Sequence, residues 1–189
     1  MRVTLLLLFL SLAACSGVPT TGTPDIATFY GRSVVGEATH EGAIALVVHG
    51  RPAVNLSEAE AGRLIADQVQ LPGWFPPTRL APAAGGETYR VVLIFNPASI
   101  ADAANHPCGP LDDLASRDDG GGLLVIGAFC SGERPASSNR GSVSDGTPLT
   151  REAVVPLVRQ LVVSLFPPEN PVLRDDRRRP FSGGLLFGG

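Results

Sequence analysis

The sequence predicts an α/β fold: a two-layer sandwich in which a small mixed sheet, in the order β-α-β-β-α, carries two helices on one face. Three observations predict it. Compact apolar runs at 42–49, 89–95 and 123–130 have the length and β-branched content of buried strands. Two further stretches, one opening at Ser57 and one near Val154, repeat apolar residues at spacings of three and four, which gathers them on one helical face. The chain has 189 residues, 44% of them hydrophobic, which suits one core with tails at the ~100–200 residues of a typical domain.

Taken in order, residues 1–14, MRVTLLLLFLSLAA, place Arg2 before an apolar run and close on small residues, the layout of a secretory signal. The run is shorter than the ~20 residues a membrane span needs, and the later segments are broken by charges, glycines or prolines. Residues 15–25 are rich in Ser, Thr, Gly and Pro and read as a flexible tether. A single α/β domain is expected over 26–168. Its opening is patchy, with a short strand expected at Ser33 to Ala38.

Gly42 to His49, GAIALVVH, is the first clear strand. Ser57-Glu58-Ala59-Glu60 matches a capping box, in which the serine accepts from the Glu60 amide and Glu60 reaches back. Ala61, Leu64, Ile65 and Val69 then share a face, and Pro72-Gly73 stops the helix. A Pro- and Gly-rich connector, 72–86, carries Trp74 and Phe75, which either present an apolar patch to a partner or pack over the helix end. Tyr89 to Phe95 is the second strand, and the strand-helix-strand order implies parallel pairing. After the turn Asp119-Gly120-Gly121-Gly122 comes the third strand, Leu123 to Cys130, whose Gly127 marks a bulge or a close backbone approach.

Residues 131–148 read as a polar loop. Val154, Leu157, Val158, Leu161, Val162 and Leu165 form the second helical face, and Pro156 requires the helix either to begin near Val155 or to kink. Pro167-Pro168 ends it, and 169–189, with Arg174, Arg177, Arg178 and Arg179, is expected to be a weakly ordered tail.

At the end of the signal, Leu12-Ala13-Ala14-Cys15 resembles the lipobox of bacterial lipoprotein precursors, over about the first 16 residues only. The resemblance implies a diacylglyceryl thioether on Cys15, cleavage before it, and acylation of the new amino group. One acyl chain holds a protein weakly and two or three hold it durably, at ~0.8 kcal/mol per buried methylene. The partner it implies is the membrane, through lipid at Cys15. Ser16 at the second mature position, in place of aspartate, is similar to the signal for the outer membrane, so in a Gram-negative envelope the domain would sit on the inner leaflet of that membrane, facing the periplasm.

Lipidation also resolves an odd count. Of the three cysteines, Cys108 and Cys130 then remain as a pair in an oxidising compartment and are expected to form a disulfide stapling the connection between the second and third strands.

The rest of the chain excludes more than it assigns. A net charge of -3 gives no electrostatic footing for nucleic acid, and with no lysine anywhere, Schiff-base and P-loop lysine chemistry is excluded. His40, His49 and His106 lack metal-ligand spacing, and no cofactor is expected. Gly141-Ser142-Val143-Ser144-Asp145-Gly146 does not satisfy a serine elbow, and Asp112-Asp113 and Asp118-Asp119 read as solvated turn residues. The expectation is a lipid-anchored envelope protein acting through protein contacts in envelope assembly or maintenance, with no assigned catalytic residue. The alternatives are an envelope-associated hydrolase using loops 96–121 and 131–148, or a small-ligand-binding lipoprotein.

Overall fold

The computed structural model describes residues 18–52, 56–117, 122–144 and 151–173; the signal segment, Cys15, Asp118-Asp119, Asp145-Gly146 and the arginine-rich tail lie outside the described residues. In chain order the elements are β1 (Thr20–Thr21), β2 (Asp25–Ile26), α1 (Arg32–Thr39), β3 (Ala43–His49), α2 (Glu58–Gln68), β4 (Arg79–Pro82), β5 (Tyr89–Phe95), α3 (Ile100–Asn105), β6 (Leu123–Ser131), β7 (Arg134–Val143) and α4 (Arg151–Leu165). They build a mixed α/β sandwich around one sheet, ordered β1-β7-β6-β5-β3-β4, with β2 also on β7.

β5 occupies the middle, parallel to β3 and antiparallel to β6. Its sequence YRVVLIF lacks polar alternation because both faces are covered. Val91, Leu93 and Phe95 enter the larger core with residues of α1, α2 and α4, whereas Val92 and Ile94 enter a smaller core with Ala103, Cys108 and Ile126. Full burial of each such side chain contributes about 1.5–3 kcal/mol, which makes this strand the centre of the stability. The parallel β3–β5 pair has Leu46 opposite Val91 and His49 opposite Ile94.

The helices follow their local chemistry. In α2 the capping box is complete: Ser57 Oγ accepts from the Glu60 amide at 3.3 Å, and Glu60 Oε2 accepts from the Ser57 amide at 3.0 Å. α4 lies close on β6 and β7 because two strand positions have no side chain. A Cβ on Gly127 would stand 3.0 Å from Leu161, and one on Gly141 would stand 2.8 Å from Leu157. Gly127 therefore marks a close approach, and the ladder irregularity lies further on, between Phe129 and Cys130.

Several local expectations are corrected. Residues 33–38 are helical rather than extended, since Val35 and Ala38, one turn apart, both reach the larger core. The connector 72–86 contains β4, an edge strand parallel to β3. It is short and ends on a proline, both of which suit an unpaired edge. Loop 131–148 contains the ten-residue β7, and loop 96–121 contains α3, capped by Ser99 Oγ at the Asp102 amide. Segment 97–117 covers the face of the sheet opposite α2 and α4, so the sandwich gains a partial third layer. α4 starts at Arg151, with Pro156 as its sixth residue at an exposed position.

The segment read as a tether is docked at two points. Thr20 and Thr21 pair with Ser142 and Gly141, and Asp25 and Ile26 pair with Ser138 and Ser137. The free edge of β7 supplies the hydrogen-bonding groups, and Ile26 supplies a buried apolar side chain. The expected boundary at 168 also moves. Asn170 is buried and donates from Nδ2 to the carbonyls of Ala27 at 2.9 Å and Tyr30 at 3.0 Å, which ties the residues after α4 to the amino-terminal segment.

Candidate functional site

Several polar groups converge where the parallel strands β3 and β5 end. Gly50 follows β3 with a φ of 78°, and a Cβ there would collide with the Phe95 carbonyl and with Ser116 Oγ. Only glycine fits this turn, which brings His49, the start of α2 and the 114–117 stretch together. His49 Nε2 donates to the Leu114 carbonyl at 2.6 Å, and its Nδ1 lies 3.8 Å from Glu58 Oε1. That carboxylate oxygen accepts the Gly50 amide at 2.6 Å.

Asn96, at the end of β5, takes a φ of 46°. Its Oδ1 accepts from the Leu124 amide at 2.9 Å, and its own carbonyl accepts from the Arg117 amide at 2.7 Å. A short polar side chain tolerates this backbone conformation, so the residue substitutes for a ladder position while the chain turns away. Ends of parallel strands are where α/β sheets place ligands. Here the corner holds an imidazole fixed at one nitrogen and facing a carboxylate at the other.

Two clefts lie away from this corner. One, of about 480 Å³, is lined by Glu37, His40, Glu41 and Glu87 with Tyr89. Desolvation acts upward on the Glu87 carboxyl, but the amides of Glu87, Ala84 and Gly85, with Arg90 nearby, outweigh it and hold the group below its ordinary range. The other, of about 590 Å³, runs along the end of α2 past Leu71, Phe75, Pro76, Pro77 and Thr78.

The sequence-predicted residues fall as follows. Cys108 and Cys130 form a disulfide. Both sulfurs belong to the smaller core, and Arg90 Nη2 donates to the Cys108 carbonyl at 2.6 Å, so the covering layer is held to β5 and β6 by covalent and polar links. Trp74 and Phe75 are half-buried and packed on the larger core: Trp74 Nε1 donates to the Phe166 carbonyl at 3.2 Å, and the Phe75 and Phe166 rings stand edge to face at 5.0 Å. Their rings occupy the gap between the end of α2 and the end of α4. Cys15 lies outside the described residues.

His40 lines the acidic cleft and His49 lies at the strand ends. Among the described residues no three His, Cys, Asp or Glu side chains are placed to hold a metal ion. Sequence reading missed the His49–Glu58 pair and the role of Asn96. The first had a signal, a strand ending in histidine nine residues before an acidic first helical turn; the second had only Asn96-Pro97 at a strand end.

The chain matches no protein-family model, no curated protein and no solved structure.

Proposed function

We propose that the protein is a lipid-anchored envelope lipoprotein, held by acyl chains on Cys15 and facing the periplasm, where it acts through contacts with other envelope proteins. The observation that carries this reading is Leu12-Ala13-Ala14-Cys15 at the end of a short apolar run preceded by Arg2. The Cys108–Cys130 disulfide supports it from a second direction. Disulfides persist in exported compartments, and this one consumes the other two cysteines, leaving Cys15 as the third.

Ser16 favours the outer membrane in a Gram-negative host. No described helix is long and apolar enough to cross a membrane. Intact-mass analysis of membrane-purified protein tests the reading. The expected result is a chain beginning at Cys15 with acyl mass attached, which Cys15→Ser abolishes while releasing the protein from the membrane. An unmodified chain cut at another position would overturn it.

A further inference from the structure

The attachment point and the docked amino-terminal segment together constrain how the protein stands on a bilayer. Thr20 pairs with Ser142 and Thr21 with Gly141, antiparallel, and the Gly22 amide continues the ladder to the Arg140 carbonyl at 2.9 Å. Read backwards, the chain leaves the sheet at the end where β7 finishes. Five peptide steps separate Thr20, the first residue paired with β7, from Cys15. Fully extended, they span no more than about 18 Å.

The docking is not superficial. Asn139, a buried residue of β7, donates from Nδ2 to the Gly22 carbonyl at 3.0 Å, Thr20 Oγ1 donates to the Ser142 carbonyl at 3.3 Å, and the Arg134 guanidinium lies 4.5 Å from the centre of the Phe29 ring. With Ile26 and Tyr30 in the core, releasing this segment to lengthen the leash would expose buried groups.

We infer that the domain is held close to the lipid headgroups by a leash of at most about 18 Å, with the end of the sheet where β7 finishes and β6 begins turned to the bilayer, and the β6–β7 hairpin turned away. This rests on lipidation of Cys15. The same sheet end carries the carboxyl ends of β3 and β5, so the His49–Glu58 corner stands along the membrane-facing edge, about four strand spacings or ~19 Å from β1. A ligand or protein engaged there meets the domain at the headgroup surface.

The two ends are far enough apart to be distinguished, since β7 alone spans about 30 Å. Single cysteines at Ser144→Cys and Glu133→Cys, both exposed positions, are labelled with a fluorophore in the lipidated full chain. The labelled proteins are then reconstituted in phosphatidylethanolamine–phosphatidylglycerol vesicles carrying a headgroup-attached nitroxide quencher. The expected result is several-fold stronger quenching at position 144 than at 133. A Gly/Ser insert of about 20 residues between Val18 and Pro19, with a root-mean-square reach of about 25 Å, should erase the contrast.

Equal quenching at both positions in vesicle-bound protein, or stronger quenching at 133, overturns the orientation while leaving lipidation standing. Protein that carries no acyl mass and does not float with vesicles overturns both. Contrast that survives the insert overturns the leash as its cause.

Discussion

The Asn139 side chain donates to the Gly22 carbonyl at 3.0 Å and to Ser164 Oγ at 2.8 Å, so one buried amide joins the amino-terminal segment, β7 and α4. Asn139→Ala removes both bonds, together with the one its Oδ1 accepts from the Arg140 amide at 2.8 Å, and leaves the Gly22 carbonyl without this donor. Losing a buried polar partner costs about 1–3 kcal/mol. Urea unfolding should show that loss, and limited proteolysis should cut within 18–26 faster than in the parent. An unchanged midpoint with unchanged cleavage would show that the amide does not hold the segment.

A second prediction concerns the seat of α4. A Cβ on Gly141 would meet Leu157 at 2.8 Å and the Thr20 carbonyl at 3.3 Å, whereas the three atoms nearest to one on Gly127 all belong to leucine side chains, at 3.0–3.5 Å. Forcing extra methyl groups into packed cores costs about 1–3 kcal/mol. Gly141→Ala should lie towards the upper end of that range, because backbone blocks one direction of escape, and Gly127→Ala towards the lower end, because leucine side chains can yield. Denaturant midpoints of the two variants check the order, and equal or reversed losses would contradict it.

The disulfide joins residues 22 positions apart in sequence. In the chain-entropy account a loop of that size contributes about 3 kcal/mol. Reduction should therefore lower the urea midpoint clearly, and exchange of backbone amides should quicken first in 97–117, the layer that Cys108 anchors. Digestion without reductant should yield one crosslinked peptide containing Cys108 and Cys130.

What the sequence made legible was set by which cores are purely apolar. β3, β5, β6 and α4 bury Val, Leu and Ile repeatedly, and α2 carries its capping box and an apolar face through Ala61 and Ile65, so their patterns announce them. β7 was hidden because its buried positions include Ser137, Asn139 and Gly141. Ser137 Oγ donates to the Leu165 carbonyl at 2.6 Å, so polar residues fill core positions by bonding to the end of α4, and no hydrophobic signal results. β1 and β2, two residues each, exist only because β7 offers an edge, which no local pattern records. For the candidate site, the cysteine pair was legible from parity once Cys15 was set aside. The His49–Glu58 approach was not, because it depends on the Gly50 turn and on the 114–117 stretch returning beside it.

The last prediction is a pH dependence. Burial pushes the Tyr30 phenol well above its ordinary range, and its hydroxyl donates to the Pro167 carbonyl at 2.7 Å. In the unfolded chain a tyrosine ionises near pH ~10. Above that pH the unfolded state gives up this proton while the native state keeps it, so the native state binds more protons and stability falls as pH rises. The contribution is complete below pH ~10 and is lost progressively above it. The chain has no lysine and the fold's cysteines are bridged, so few other groups titrate in that window. Urea midpoints measured from pH 9 to 11 should decline for the parent chain. Tyr30→Phe should begin lower by about 1 kcal/mol for the lost hydrogen bond and decline less steeply. Parallel declines in the two proteins would show that Tyr30 is not the group responsible.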